Sequence, residues 1–256
     1  MDRFDIHKAQ GTVKLAVKTM LEGPFDQGAS LMHDSLRVRG LIPLAQPFTG
    51  LYQLHGEGGT EVISPAVLSA TGPNAIVDWV LLELRSASAP AQVIASRAAL
   101  LQRDGDVVDV DGTSAVAFHV PMGPYHVAVR HRNHFGCMTG APLVLKHAAT
   151  ALDFTLPTTA TWGSGARKDI SGTMVLISGN AKTDAFIKYT GTDNDRDPVL
   201  TAIGGSLPTN TVSGYLVEDV TMDGTVKYTG PGNDRDPVLV AIGGTLPTNT
   251  ITEQLP

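Results

Sequence analysis

The sequence predicts a mainly β protein: an antiparallel β-sandwich over residues 11–170, then a small pair of loop-helix repeats over residues 171–256. Three observations predict this. Short apolar runs recur at roughly 8–12 residue spacing, as the strands of a sandwich do. Glycine and proline are abundant, at 27 and 16 residues, which favours turns over long helices. Past residue 170 the chain repeats itself: Lys188-Tyr189-Thr190-Gly191 and Asn194 to Leu200 both recur 39 residues later, as do Leu207 to Thr211. A fixed offset without gaps marks a tandem duplication.

In chain order, residues 1–10 read as a leader that need not be ordered. In Thr12 to Met20, Val13, Leu15 and Val17 share one parity and Lys14 and Lys18 the other, the pattern of a half-buried strand. Ser30 is placed to cap a short helix running to about Arg39, with Gly40 behind it. Gln46 to Gly59 reads as a loop, with Glu57 and Glu61 solvated. Ile76 to Arg85 is nearly continuous in apolar residues and should be covered on both faces. Gln92 to Leu101 follows, and Asp104-Gly105 turns the chain into Val107 to Val110. Ala115 to Val120, Tyr125 to Arg132, Leu143 to Lys146 and Leu152 to Leu156 complete an immunoglobulin-like set of strands.

Bulk properties narrow the function. The net charge of −6 disfavours a nucleic-acid partner, because phosphate binding needs a basic surface. A single cysteine, Cys137, forms no internal disulfide and reads as a small core residue. No run of 18 apolar residues exists, so no membrane span is expected, and the charged N-terminus is not a signal peptide.

The repeats carry the chemistry. A calcium loop needs oxygen ligands at its first, third and fifth positions, glycine at the sixth and a late carboxylate. Asp219, Thr221, Asp223 and Gly224 match. Gly230 stands where the closing carboxylate belongs, so Asp234 or Asp236 must fold back across Tyr228 to Asn233 to close the site. The first copy offers Asn180, Asp184, Asp195 and Asp197, but Lys182 and Ala185 weaken its start. Asp236 as N-cap, Pro237 and Gly243 predict a helix of under two turns after the loop. The competing reading is that these acids only cap helices and fill turns.

Residues 179–244 resemble the dockerin-type calcium-binding repeat, best at Asp219, Thr221, Asp223, Gly224 and Val226. The phrases K-Y-T-G-x-x-N-D-R-D-P-V-L and L-P-T-N-T look like the C-terminal region of large secreted Bacteroidota proteins, as does Val129 to His134. The resemblance implies an extracellular or cell-surface module that is not an enzyme and carries calcium.

Other constellations rank lower. Three histidines between Tyr125 and His134 invite zinc, but Arg130 and Arg132 beside them disfavour a cation. A polar strand end is favoured, in which His131 and Asn133 bond buried backbone. Arg130, Arg132 and His134 are the alternative anion or sugar pocket. Ser114, His119 and Asp109 form a hydrolase set on paper only, and no G-x-S-x-G elbow is present. Trp79 reads as core, and Trp162 and Tyr52 as candidates for sugar stacking. The expected function is structural or adhesive: a calcium-stabilised module that forms surface or filament structures with copies of itself or other surface proteins. A carbohydrate-binding module is the alternative.

Overall fold

The structure is a computed structural model and describes residues 11–256; the expected leader lies outside the described residues. The fold is mainly β, with its strands paired almost wholly antiparallel.

β1 (Val13–Lys18) alternates as its sequence requires: Val13, Leu15 and Val17 are buried, Lys14 and Ala16 exposed. The expected helix from Ser30 is instead a hairpin of β2 (Phe25–Asp26) and β3 (Leu31–Met32). The Asp26 carboxylate accepts the N–H groups of Gly28 and Ala29, and Ser30 takes φ +54°, so Ser30 is a turn residue. Only α1 (Ser35–Val38) remains of that helix.

β4 (Ile76–Ser86) is buried from Ile76 through Arg85, because it is flanked by β5 (Val93–Gln102) and β8 (Gly123–Arg130) and covered on both faces. Trp79 is fully buried and donates its Nε1 hydrogen to the Pro43 carbonyl at 2.9 Å. The Asp104-Gly105 turn leads from β5 to β6 (Asp106–Val108). Gly105 has φ +92°, and a Cβ there would sit 2.7 Å from the Thr19 carbonyl, so only glycine fits. β7 (Val116–Phe118) pairs with β1; β9 (Cys137–Met138) and β10 (Leu143–Leu145) pair with β8.

One pairing departs from the antiparallel expectation. β11 (Thr150–Asp153) runs parallel to β1, from Leu15 opposite Thr150 to Lys18 opposite Asp153. A parallel partner needs a long crossover, and nearly the whole sheet lies between these two strands in sequence. The nine-stranded sheet thus runs β10-β8-β4-β5-β6-β1-β11, with β7 and β9 beside that path.

The two loop acids, expected solvated, differ. Glu61 is buried, accepts the N–H groups of Gly59 and Ala98, and lies 3.3 Å from Arg97. Glu57 stays exposed and meets His119 at 2.5 Å. Loop polarity alone did not reveal that Glu61 ties the loop to the middle of β5.

A hairpin of β12 (Lys168–Ile170) and β13 (Thr173–Val175) leads into the duplicated unit. Its two-residue turn, Ser171-Gly172, has φ positive at both positions. The remaining elements are β14 (Phe186–Lys188), α2 (Arg196–Ala202), β15 (Thr211–Ser213), β16 (Thr225–Lys227), α3 (Arg235–Ala241) and β17 (Thr250–Thr252).

Candidate functional site

The two copies exchange their strands. β14, which opens the first copy, pairs with β17, which closes the second; β15, which closes the first, pairs with β16, which opens the second. The apolar side chains follow. Ile187 of the first copy packs with Val238, Ile242 and Ile251 of the second. Val226 and Val220 of the second pack with Val199 and Ile203 of the first. A 39-residue unit is too small to bury a core alone, so each copy completes the other's. The backbones agree in detail: Thr183 and Met222 both take φ near +60°, and Gly204 and Gly243 lie at +103° and +105°.

In the second loop, the Asp219 carboxylate accepts the N–H groups of Asp223 and Gly224 at 3.1 and 2.8 Å. Asp223 accepts from the Thr225 N–H, and Lys227 Nζ lies 3.0 Å away. Of the two acids proposed to close the loop, Asp234 folds back. Its Oδ1 accepts from the Thr221 N–H and lies 3.0 Å from Thr221 Oγ1, while Oδ2 accepts from the Lys227 N–H. Thr221 Oγ1 is also 3.3 Å from Asp219 Oδ1, so two carboxylates converge on one hydroxyl.

Asp236 does something else. Asn233 accepts the Asp236 N–H at 2.9 Å and donates its amide to the Asp236 carboxylate at 2.8 Å. Asn233 is therefore the residue whose side chain caps α3, and the expectation for Asp236 is corrected. Asp236 lies in the first turn, where its charge faces the exposed N–H groups. Pro237 falls where no intrahelical N–H partner is lost. The first copy repeats this through Asn194 and Asp197.

Burial pushes the carboxyl of Asp234 up to about 7, although the Lys227 and Thr221 N–H groups oppose the rise. Asp195 is likewise pushed up to about 7 by burial, against the N–H groups of Lys188 and Lys182. Burial also raises Asp219. In the first copy Asn180 replaces Asp219 and bonds the main chain of Asp184 both ways. Lys182 replaces Thr221, and its ammonium sits 2.6 Å from Asp193 and 4.0 Å from Asp184. The first loop therefore holds an ammonium where the second has the Thr221 hydroxyl. The second copy offers a hard cation Asp219, Thr221, Asp223 and Asp234, all oxygen donors of the kind calcium takes. Among the described residues, no group of three or more His, Cys, Asp or Glu side chains is gathered as a metal cage.

The histidine-rich segment is a junction. β8 ends at Arg130, two residues short of the strand expected through Arg132. Asp78, from the start of β4, accepts from Tyr215 Oη at 2.5 Å and Arg132 Nε at 3.0 Å, and His131 Nε2 lies 3.1 Å from it. Burial pushes Asp78 up, but the Arg132 guanidinium and the bonds from His131 and Tyr215 outweigh it and hold the carboxyl below its usual range. Arg132 also lies over the Tyr215 ring and donates to the Leu216 carbonyl. Asn133 donates to the carbonyls of Val217 and Asp219, and His131 Nδ1 accepts the Asn133 N–H at 3.4 Å, so both bond buried backbone as expected; His131 also bonds the Asp78 carboxylate. His134 accepts from the Gly23 N–H at 3.0 Å. Burial lowers both histidines, which keeps them neutral.

The proposed pocket of Arg130, Arg132 and His134 is thus occupied from within. Arg132 and His134 are buried in the junction, and Arg130 pairs with Glu83 and Glu253. Ser114, His119 and Asp109 each have a different partner: Asp111, Glu57 and Arg97. Cys137 is buried, and burial pushes its thiol up to about 12. Trp162 meets His126 edge-on, and Tyr52 bonds the His131 carbonyl under the Arg130 guanidinium. Sequence reasoning missed Asp78 and Tyr215; the one usable signal was a carboxylate inside a nearly unbroken apolar strand. No helix among the described residues is long and apolar enough to cross a membrane. Comparison of the chain with protein-family models, with curated proteins and with solved structures finds no match.

Proposed function

We propose that this chain is a non-catalytic extracellular structural or adhesive module: an antiparallel sandwich whose dockerin-like C-terminal unit is stiffened by calcium, and which assembles with copies of itself or other surface proteins. The observation that carries this reading is the reciprocal exchange of strands between the two copies, anchored on the sheet by the buried junction around Asp78. Such an arrangement is suited to bearing load at the chain's C-terminal side. Calcium belongs in the second loop, held by Asp219, Thr221, Asp223 and Asp234, where it would neutralise carboxylates that burial otherwise penalises. In the first loop Lys182 takes part of that role.

The test is assembly followed by light scattering, with calcium and with chelator. Particles or fibres that grow in calcium and dissolve in chelator support the reading. A monomer at every concentration, together with specific glycan binding, replaces it with the carbohydrate-binding alternative.

A further inference from the structure

The last seven residues form a strand-and-tail segment with its own receptor. β17 pairs in register with β14, Thr252 opposite Phe186 and Thr250 opposite Lys188, and the Glu253 N–H extends the ladder to the Ala185 carbonyl at 2.9 Å. Beyond the strand, Glu253 turns into the sheet domain. Its Oε1 accepts the Gly136 N–H at 2.8 Å, and its Oε2 lies 3.2 Å from Arg130 Nη1. Glu253 is largely shielded, and Arg130 is balanced on its other side by Glu83 at 3.0 Å. The Pro256 carbonyl accepts from Arg85, whose side chain is 2 % exposed and paired with Glu83.

The receptor is shaped for the tail as well as charged for it. A Cβ on Gly136 would lie 2.9 Å from Leu255 Cδ1, and one on Gly163 would lie 2.2 Å from Gln254 Oε1. Backbone ladder, half-buried ion pair and two glycines in close contact with the tail are therefore three separate elements that recognise one peptide.

What joins this segment to the rest lies at the surface, held mainly by the Asn249 amide on the Ile242 carbonyl and the Thr190 hydroxyl on the Pro247 carbonyl. Residues 243–250 are all exposed, and Gly243 and Gly244 both take positive φ. A segment that makes its contacts away from its neighbours in sequence, on an exposed glycine-containing loop, is the kind that protomers exchange. Strand addition to β14 supplies affinity through the main chain, and the Glu253 site supplies specificity.

We infer that residues 250–256 are a donor segment and that β14 with Arg85, Arg130, Gly136 and Gly163 is an acceptor for the same segment of a second copy of this chain. In one chain the short loop keeps donor and acceptor together, so self-occupation dominates at low concentration. Exchange links copies without any new surface. This rests on the structural-module reading and specifies its means of assembly.

The experiment places a protease site in the 244–248 loop of the full chain, cuts it after folding, and adds a labelled peptide of residues 250–256. Peptide uptake by the cut chain, with a Glu253→Gln peptide at least tenfold weaker, supports the inference; no such uptake by the uncut dilute monomer is expected. If the cut chain loses its fold, refolding on addition of peptide counts as the same support. A cut chain that refuses the peptide, or that takes both peptides equally, overturns it. Calcium-dependent particles that persist in such a case show that the module reading survives and only this route fails; no assembly under any condition removes both.

Discussion

Asp234 reaches back thirteen positions to Thr221, accepting both its main-chain N–H at 3.1 Å and its hydroxyl at 3.0 Å. That contact closes the second loop and places a buried carboxylate beside Asp219. Its carboxyl is pushed up to about 7, chiefly by burial. Asp195 closes the first loop through the Lys182 N–H in the same way.

A carboxyl raised above its unfolded value of about 3.9 stabilises the fold only while protonated. That stability is complete below the unfolded value and is lost as pH rises through about 7. The buried histidines act in the opposite sense, but only below their unfolded value of about 6.5. In chelator, the melting temperature is therefore expected to fall between about pH 6.5 and 8.5, and Asp234→Asn to remove part of that slope. Millimolar calcium is expected to raise the melting temperature at the upper end by several degrees, since a ligand of the native state adds stability. Asp223→Ala should abolish most of that rise, and Asp184→Ala, in the loop where Lys182 replaces Thr221 and Asn180 replaces Asp219, much less. Melts unchanged by chelator would remove calcium from the reading.

Among the described residues, Asp78 is the only carboxylate that Arg132 bonds, and both are buried. Asp78→Ala strands a buried guanidinium, which costs about 3–5 kcal/mol. Arg132→Met in the same chain is expected to restore part of the loss, because a buried apolar pair tolerates what a lone buried charge does not. Denaturant midpoints of the two single variants and the double variant measure this. Losses that simply add would show that the two residues do not act as a pair.

Ile187 belongs to the first copy but packs on α3 of the second. Ile187→Ala is expected to cost about 2–5 kcal/mol, as buried isoleucine truncations do. Hydrogen exchange should show the lost protection over Arg235–Ala241 and to a lesser degree over Arg196–Ala202. Protection lost in the first copy's helix alone would contradict the strand exchange.

Much of the fold was legible because local pattern decides it. Alternation wrote β1, an unbroken apolar run wrote β4, and Asp104-Gly105 wrote the turn after β5. The 39-residue period announced two equivalent loops, and their spacing narrowed the closing acid to two. Ser30 was misread because Ser fits a cap and a turn equally, and positive φ is invisible in sequence. Asp236 was misread because two polar residues precede the helix, and only geometry shows whose side chain reaches the N–H groups.

By itself the sequence determined most strands of the sheet, the Asp104-Gly105 turn and the existence of a duplicated oxygen-rich loop, all properties of residues near one another in the chain; it did not show the β2–β3 hairpin or the short strands of the repeats. Tertiary structure alone decided that the copies exchange strands, that Asp234 closes the loop, and that His131 to His134 form a junction with Asp78 and Tyr215. Each of those depends on groups between thirteen and more than a hundred positions apart. Their partnership is set by burial, which requires every polar group it encloses to find a partner wherever the chain supplies one.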